Sequence, residues 1–164
     1  MAQPAARAAR PVATARRKLD LRHSRLAGLM GFHLRLAQVA VYRDFMAATA
    51  ELGLTPKQYA VLELIAENPG VSQVDIAAAL VMDRATMMAL VDRLQARNLL
   101  ARKASVVDRR RQDLSLTDEG KAMVAEARRL IAAHEARLLD GWTAQEVDQL
   151  NAFLRRLQKQ PITA

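Results

Sequence analysis

Apolar residues along this chain recur mostly three and four positions apart, the period of a helix, and only once give way to alternation. From about Leu19 to Ala50 there is no proline. Leu26, Leu29, Met30, Phe32, Leu36, Val39, Tyr42, Phe45 and Met46 follow one another there at mixed helical spacings. They cover more than one narrow stripe, which predicts a helix packed both on its own domain and on a partner subunit.

The next helix announces its start. Thr55 is a capping residue, Pro56 sits where a missing N–H costs nothing, and Gln58 stands at the reciprocal capping position. Leu54 and Tyr59 supply a hydrophobic staple, Val61, Leu62 and Ile65 continue the apolar face, and Asn68-Pro69-Gly70 ends it. The same grammar returns twice. Ser72 with Asp75 opens a short helix to about Leu80, and Asp83 opens another to about Arg97. Two helices this close predict a helix-turn-helix. In the second, Met87, Leu90, Val91 and Leu94 line one face and leave Arg84, Thr86, Met88 and Arg93 pointing elsewhere.

After Asn98, a residue suited to a left-handed helix end, the period drops to two. "LLARKA" and "QDLSL" read as strands of a hairpin whose tip is "SVVDRRR". Thr117 then caps a long helix carrying Met123, Val124, Ala127, Leu130, Ile131 and Leu138, which Gly141-Trp142 breaks. Thr143 and Glu146 open a last helix through Val147, Leu150, Leu154 and Leu157. The order predicts a mainly α fold with a small β-hairpin wing, a winged helix-turn-helix flanked by dimerisation helices. Residues 1–20 form a basic arm, 21–50 and 117–160 the helical dimerisation region, and 54–116 the winged lobe.

Composition narrows this further. A length of 164 residues suits one domain with appended helices, and an aromatic content of 4% suits small-residue helix packing. The net charge of +8 is uneven, since residues 1–25 hold seven cations against Asp20 alone and leave only +2 for the rest. Basicity alone therefore does not establish a nucleic-acid partner; the position of the charge must. The Arg- and Ala-rich leader reads as a flexible arm broken by Pro4 and Pro11, although an organelle transit peptide shares its composition. The absence of cysteine excludes disulfides and thiolate metal sites. No apolar run approaches the roughly 18 residues of a membrane span, so a cytoplasmic protein is expected.

The second helix of such a motif offers its first side chains to base edges in the major groove. Here those are Asp83, Arg84, Thr86 and Met88, with Arg93 further along. Arg84 is the residue able to pair bidentately with guanine, while Thr86 suits a phosphate or a thymine methyl. Ser72 and Gln73 are placed to meet phosphate. In the hairpin tip Asp108 can hold one arginine while another of Arg109, Arg110 and Arg111 enters the minor groove. A packing hairpin and a solvated charge run are the plainer readings of the same residues; their adjacency favours double-stranded DNA.

Leu54 to Met123 resembles the MarR family of bacterial transcriptional regulators. Asp108-Arg109-Arg110, then Leu116-Thr117 and Gly120, match its wing signature, and Leu90 to Leu94, "LVDRL", matches as well. Asn98 departs from the usual glycine, a change both residue types satisfy. The resemblance implies a homodimer on a pseudo-palindromic operator, with a pocket for a small anionic aromatic effector that lowers DNA affinity. Gly31 to Phe45 is similar to the first helix of relatives that answer to aromatic acids or their coenzyme A thioesters. Phe32, Leu36, Tyr42 and Phe45 could line an apolar slot while His33, Arg35 or Arg43 meets a carboxylate or phosphate; the same aromatic stripe also reads as plain core. His23, His33 and His134 share no metal-ligand spacing, so no metal is expected, and His134 falls in the dimer-helix packing. No catalytic constellation stands out, so no enzyme is expected. The function expected is a ligand-responsive repressor; an activator or architectural DNA binder and a winged-helix protein-interaction module are the alternatives.

Overall fold

The computed structural model describes residues 24–104 and 112–159. It divides into two units, one ending at Ala37 and one beginning at Gln38. In the first, Ser24 caps a 3₁₀ turn, Arg25–Gly28, by accepting the Leu26 N–H at 3.2 Å. Leu29 is extended, with φ −97° and ψ 118°, and α1 (Met30–Ala48) begins after it. The sequence predicts one uninterrupted helix here, and the break corrects that reading over the described residues. Its cause is local: Gly28 is a poor helix former, and the ring of His33 donates from Nε2 to the Ala27 carbonyl at 2.7 Å, satisfying an oxygen that a continued helix would have used. At its other end α1 stops at Ala48, two residues short, and a second 3₁₀ turn, Ala50–Leu52, leads to Gly53 in the left-handed region at φ 57°.

In the second unit α2 (Pro56–Glu67) carries the predicted capping box, Thr55 with Gln58, and buries Val61, Leu62 and Ile65. Then follow β1 (Val71–Ser72), α3 (Gln73–Ala79), α4 (Arg84–Ala96), β2 (Leu100–Ala104), β3 (Gln112–Leu116), α5 (Asp118–Leu138) and α6 (Ala144–Gln158). The strands form an antiparallel sheet in the order β1-β3-β2, with Leu100 opposite Leu116 and Ala104 opposite Gln112. The sequence reading has the hairpin but lacks β1: two residues are too short for a visible period, and pairing of Val71 with Leu114 depends on a strand 43 positions away. Leu54, Leu62, Ile65, Ile76, Met87, Leu94, Leu100 and Leu114 are fully enclosed, so the core lies where α2, α3 and α4 close over the base of the wing.

A polar tie secures α1 to α5. His134 is 1% exposed, its Nδ1–H donates to Asp44 at 2.5 Å, and its ring meets Phe45 edge-on at 5.8 Å. Arg137 donates to the same carboxylate at 3.2 Å. His134 thus sits in the packing of α5 against α1, where Asp44 supplies a partner for the ring. By contrast α6 buries no residue, and Phe153 is 60% exposed with Leu150 and Leu157 on the same helix also exposed.

Candidate DNA interface and the adjoining groove

The turn between α3 and α4 is built from two caps and one strained residue. Ser72 caps α3, accepting the Asp75 N–H at 3.3 Å and donating to the Asp75 carboxylate at 2.8 Å. With only 4% exposure its hydroxyl faces inward, so the phosphate contact expected of Ser72 is replaced by a role in fixing where α3 begins. Gln73, the first residue of α3, is half-buried. Past Leu80 the chain turns through Val81, whose φ is 51° and whose side chain is 90% exposed. A β-branched residue is a costly occupant of that region. Asp83 then caps α4: one carboxylate oxygen accepts the Thr86 N–H at 2.8 Å and the other accepts the Thr86 hydroxyl at 2.6 Å. The Thr86 bonds hold the Asp83 carboxyl below its usual range. Asp83 therefore sets the start of the helix, and the proton of Thr86 is already given away.

On α4, Met87, Leu90, Val91 and Leu94 are buried as expected, and Arg84, Met88 and Arg93 lie on the surface. Arg84 stands on the first turn, where unpaired backbone N–H groups and the helix dipole favour an anion. Met88 is 52% exposed one turn later. A shallow depression of about 170 Å³ separates these from α3, bounded by Gln73, Val74, Arg84 and Met87.

Three long-range contacts that sequence reasoning missed orient this surface. Arg102 of β2 pairs with Asp92 of α4, tying the wing to the helix beside it. Arg97 donates to the carbonyls of Gly53 at 3.0 Å and Leu52 at 2.7 Å, fixing the far end of α4. Arg128 of α5 grips Glu63 of α2 through Nε at 3.0 Å and Nη2 at 2.5 Å. Each joins elements far apart in sequence, and no local spacing signals them. At the foot of the wing Thr117 caps α5, donating to the Asn98 carbonyl at 2.6 Å and accepting the Gly120 N–H at 3.0 Å. Asn98 has the left-handed conformation its position predicted, φ 57°. Asp108, Arg109, Arg110 and Arg111 lie outside the described residues.

Behind α4 a groove of about 640 Å³ is lined by Gln38 and Tyr42 of α1, Thr55 and Lys57 at the start of α2, and Thr86 and Arg93 of α4. It brings one expected effector residue, Tyr42, together with two expected DNA residues, Thr86 and Arg93. The other effector candidates are distributed differently. Phe45 is 7% exposed and packs between the rings of Tyr59 and His134, and Arg43 is exposed. Phe32, His33 and Leu36 belong to the first unit. There Phe32 meets the His33 ring edge-on at 5.8 Å, His33 is engaged by Ala27, and Leu36 is exposed. Lys57, absent from the sequence reading, adds a cation to the groove because the capping of α2 places it there.

A model described as the MarR family matches residues 52–111. A Thauera aromatica protein named as a transcriptional regulator for the hcr operon is 36% identical over 146 residues, spanning 86% of each chain. Among solved structures, the transcriptional repressor CouR bound to a 23-mer DNA duplex superposes with a TM-score of 0.81 at 37% identity, covering 87% of this chain and 99% of that one. CouR bound to p-coumaroyl-CoA gives 0.79 at 35% identity, covering 87% and 100%. The chain belongs to the MarR family of transcriptional regulators, and is a DNA-binding regulator rather than an enzyme.

Proposed function

We infer that the protein is a homodimeric repressor, released from a palindromic operator by a small aromatic acid or its coenzyme A thioester. The observation that carries this reading is the shared groove: Tyr42, Lys57 and Arg93 surround a space whose wall is α4 itself, through Thr86. An aromatic body fits against Tyr42, and a carboxylate or phosphate fits between Lys57 and Arg93. The similarity to CouR, a repressor seen both with DNA and with p-coumaroyl-CoA, supports the same pairing of partners here.

In this reading residues 54–116 bind DNA and residues 21–50 with 117–160 join two copies. Arg84 reads a guanine edge, and Met88 and the methyl of Thr86 meet apolar base surface, because the Thr86 hydroxyl proton is held by Asp83. Arg109 to Arg111 serve the minor groove and the phosphates. The exposed apolar side chains of α6 require a covering surface, and a second copy supplies it. Release follows from linkage: an occupant that binds the free dimer better than the DNA-bound one shifts the population away from the operator. Among the described residues no helix is long and apolar enough to cross a membrane, and the working compartment proposed is the cytoplasm.

Footprinting on the gene's own upstream region, followed by titration with aromatic acids and their coenzyme A thioesters, tests the reading. A protected palindrome that one such compound releases supports it. Tyr42→Ala should weaken that release while leaving the footprint in place, and an effector response indifferent to Tyr42, Lys57 and Arg93 would overturn the assignment of the groove.

A further inference from the structure

A second cavity, which shares no lining residue with the groove beside α4, is used by none of the functions above. It has a volume of about 500 Å³ and lies between the end of α2, the wing strands and the first turns of α5. Its floor is apolar: Ile65 is 1% and Val124 3% exposed, and Leu116 is half-buried beside them. Three cations, Lys103, Lys121 and Arg128, line it, and among the described residues no acidic one does.

The geometry points to a second ligand site here, one that takes a small amphiphilic monocarboxylate with an aromatic or short aliphatic body. The volume falls in the usual range for small-molecule sites, roughly 300–1,000 Å³. Charge and shape select the occupant together. An apolar body covers Ile65, Leu116 and Val124, and a single negative group faces the cations. A nucleic-acid phosphate has no apolar part to cover that floor, and a neutral hydrocarbon offers nothing to Lys103 or to the exposed faces of Lys121 and Arg128. Arg128 is held in place before any ligand arrives, because Glu63 fixes its guanidinium through Nε and Nη2. Lys121 is 68% exposed and pairs with the surface Asp118, an interaction a carboxylate can replace at small cost.

The site is placed to matter. Lys103 is on β2 and Leu116 on β3, whereas Lys121, Val124 and Arg128 are on α5. An occupant bridges the wing to the helix behind it, and any preference for one wing placement becomes a change in DNA affinity. It shares no lining residue with the groove beside α4, so the two sites can be emptied separately.

The test uses 2-naphthoate with the full-length protein, followed by calorimetry and by amide NMR shifts. Binding should shift Ser115, Leu116 and Ala125, and naphthalene-2-carboxamide, its neutral counterpart, should bind more weakly. Ala125 is exposed and lines the cavity, so Ala125→Trp fills it without entering the core and should raise the naphthoate Kd by about tenfold or more. Lys121→Glu should raise it by about threefold or more. Retained operator binding by Ala125→Trp checks that the variant is folded. Shifts confined to Tyr42 and Thr86, or a Kd indifferent to both Ala125→Trp and Lys121→Glu, would overturn the proposal. So would Lys121→Glu weakening DNA binding alone, since the cations would then serve only phosphates.

Discussion

The carbonyl oxygen of Leu99 lies 1.9 Å from the point where a β-carbon on Gly120 would stand. The wing signature that ends in Gly120 is therefore a packing requirement: Thr117 caps α5 and grips Asn98, and the first turn of α5 comes down directly on the Leu99 backbone. Gly120→Ala should destabilise the protein by about 3 kcal/mol or more, since neither α5 nor the strand start can move freely. Urea unfolding measures it, and a loss well under 1 kcal/mol would show that the contact yields.

Val81 presents the opposite situation, with open space around it and an unfavourable backbone. Relief of the left-handed strain outweighs the extra chain entropy of glycine, so Val81→Gly should raise stability by about 0.5–1 kcal/mol. The urea midpoint should rise with an unchanged slope. A fall in midpoint would mean that the exposed side chain has a packing partner.

Tyr59 should mark the alkaline limit of the fold. Burial first, and Glu63 beside it second, raise its pKa from 10.0 to about 12. A raised value in the folded state means that Tyr59 contributes its full stability below pH 10 and loses it as pH climbs toward 12. Absorbance at the tyrosinate band in a Tyr42→Phe background should place the Tyr59 midpoint near 12. A midpoint at 10 would contradict its enclosure.

Asp44 governs the acid side. Its hydrogen bond from His134, followed by Arg137, holds its pKa below the usual 3.8 despite the opposing effect of burial. A depressed value makes the tie of α1 to α5 fully present above 3.8 and lost as pH falls through the lowered folded value. Melting midpoints followed down to strong acid should fall more steeply for the parent than for Asp44→Asn. Parallel curves would remove Asp44 from the account.

Elements whose cause is local were legible in the sequence. The caps at Thr55, Asp83, Thr117 and Thr143 stand where their residue types predicted, because a hydroxyl or carboxylate three residues before a free N–H needs no distant partner. The buried stripe of α4 and the left-handed Asn98 follow in the same way. What escaped depends on tertiary approach: β1 exists only because β3 passes it, and Arg102 finds Asp92 only after the wing folds back. Ser72 shows the limit within the site itself, since its type suits both a phosphate and a cap, and burial chose the cap. Among the effector candidates, helical spacing placed Tyr42 and Phe45 side by side, yet the groove takes Tyr42 and the core takes Phe45.

Sequence-preferring DNA binding through the start of α4 can be checked in a single comparison. Fluorescence anisotropy should measure the parent, Arg84→Ala and Arg110→Ala on the footprinted upstream segment and on a scrambled duplex across a range of salt. Arg84→Ala should lose about 1–3 kcal/mol of discrimination between the two duplexes. Arg110→Ala should weaken both alike and flatten the salt dependence by up to about one unit. Equal affinity of all three proteins for both duplexes would contradict the account, since neither Arg84 nor Arg110 would then contribute to DNA recognition.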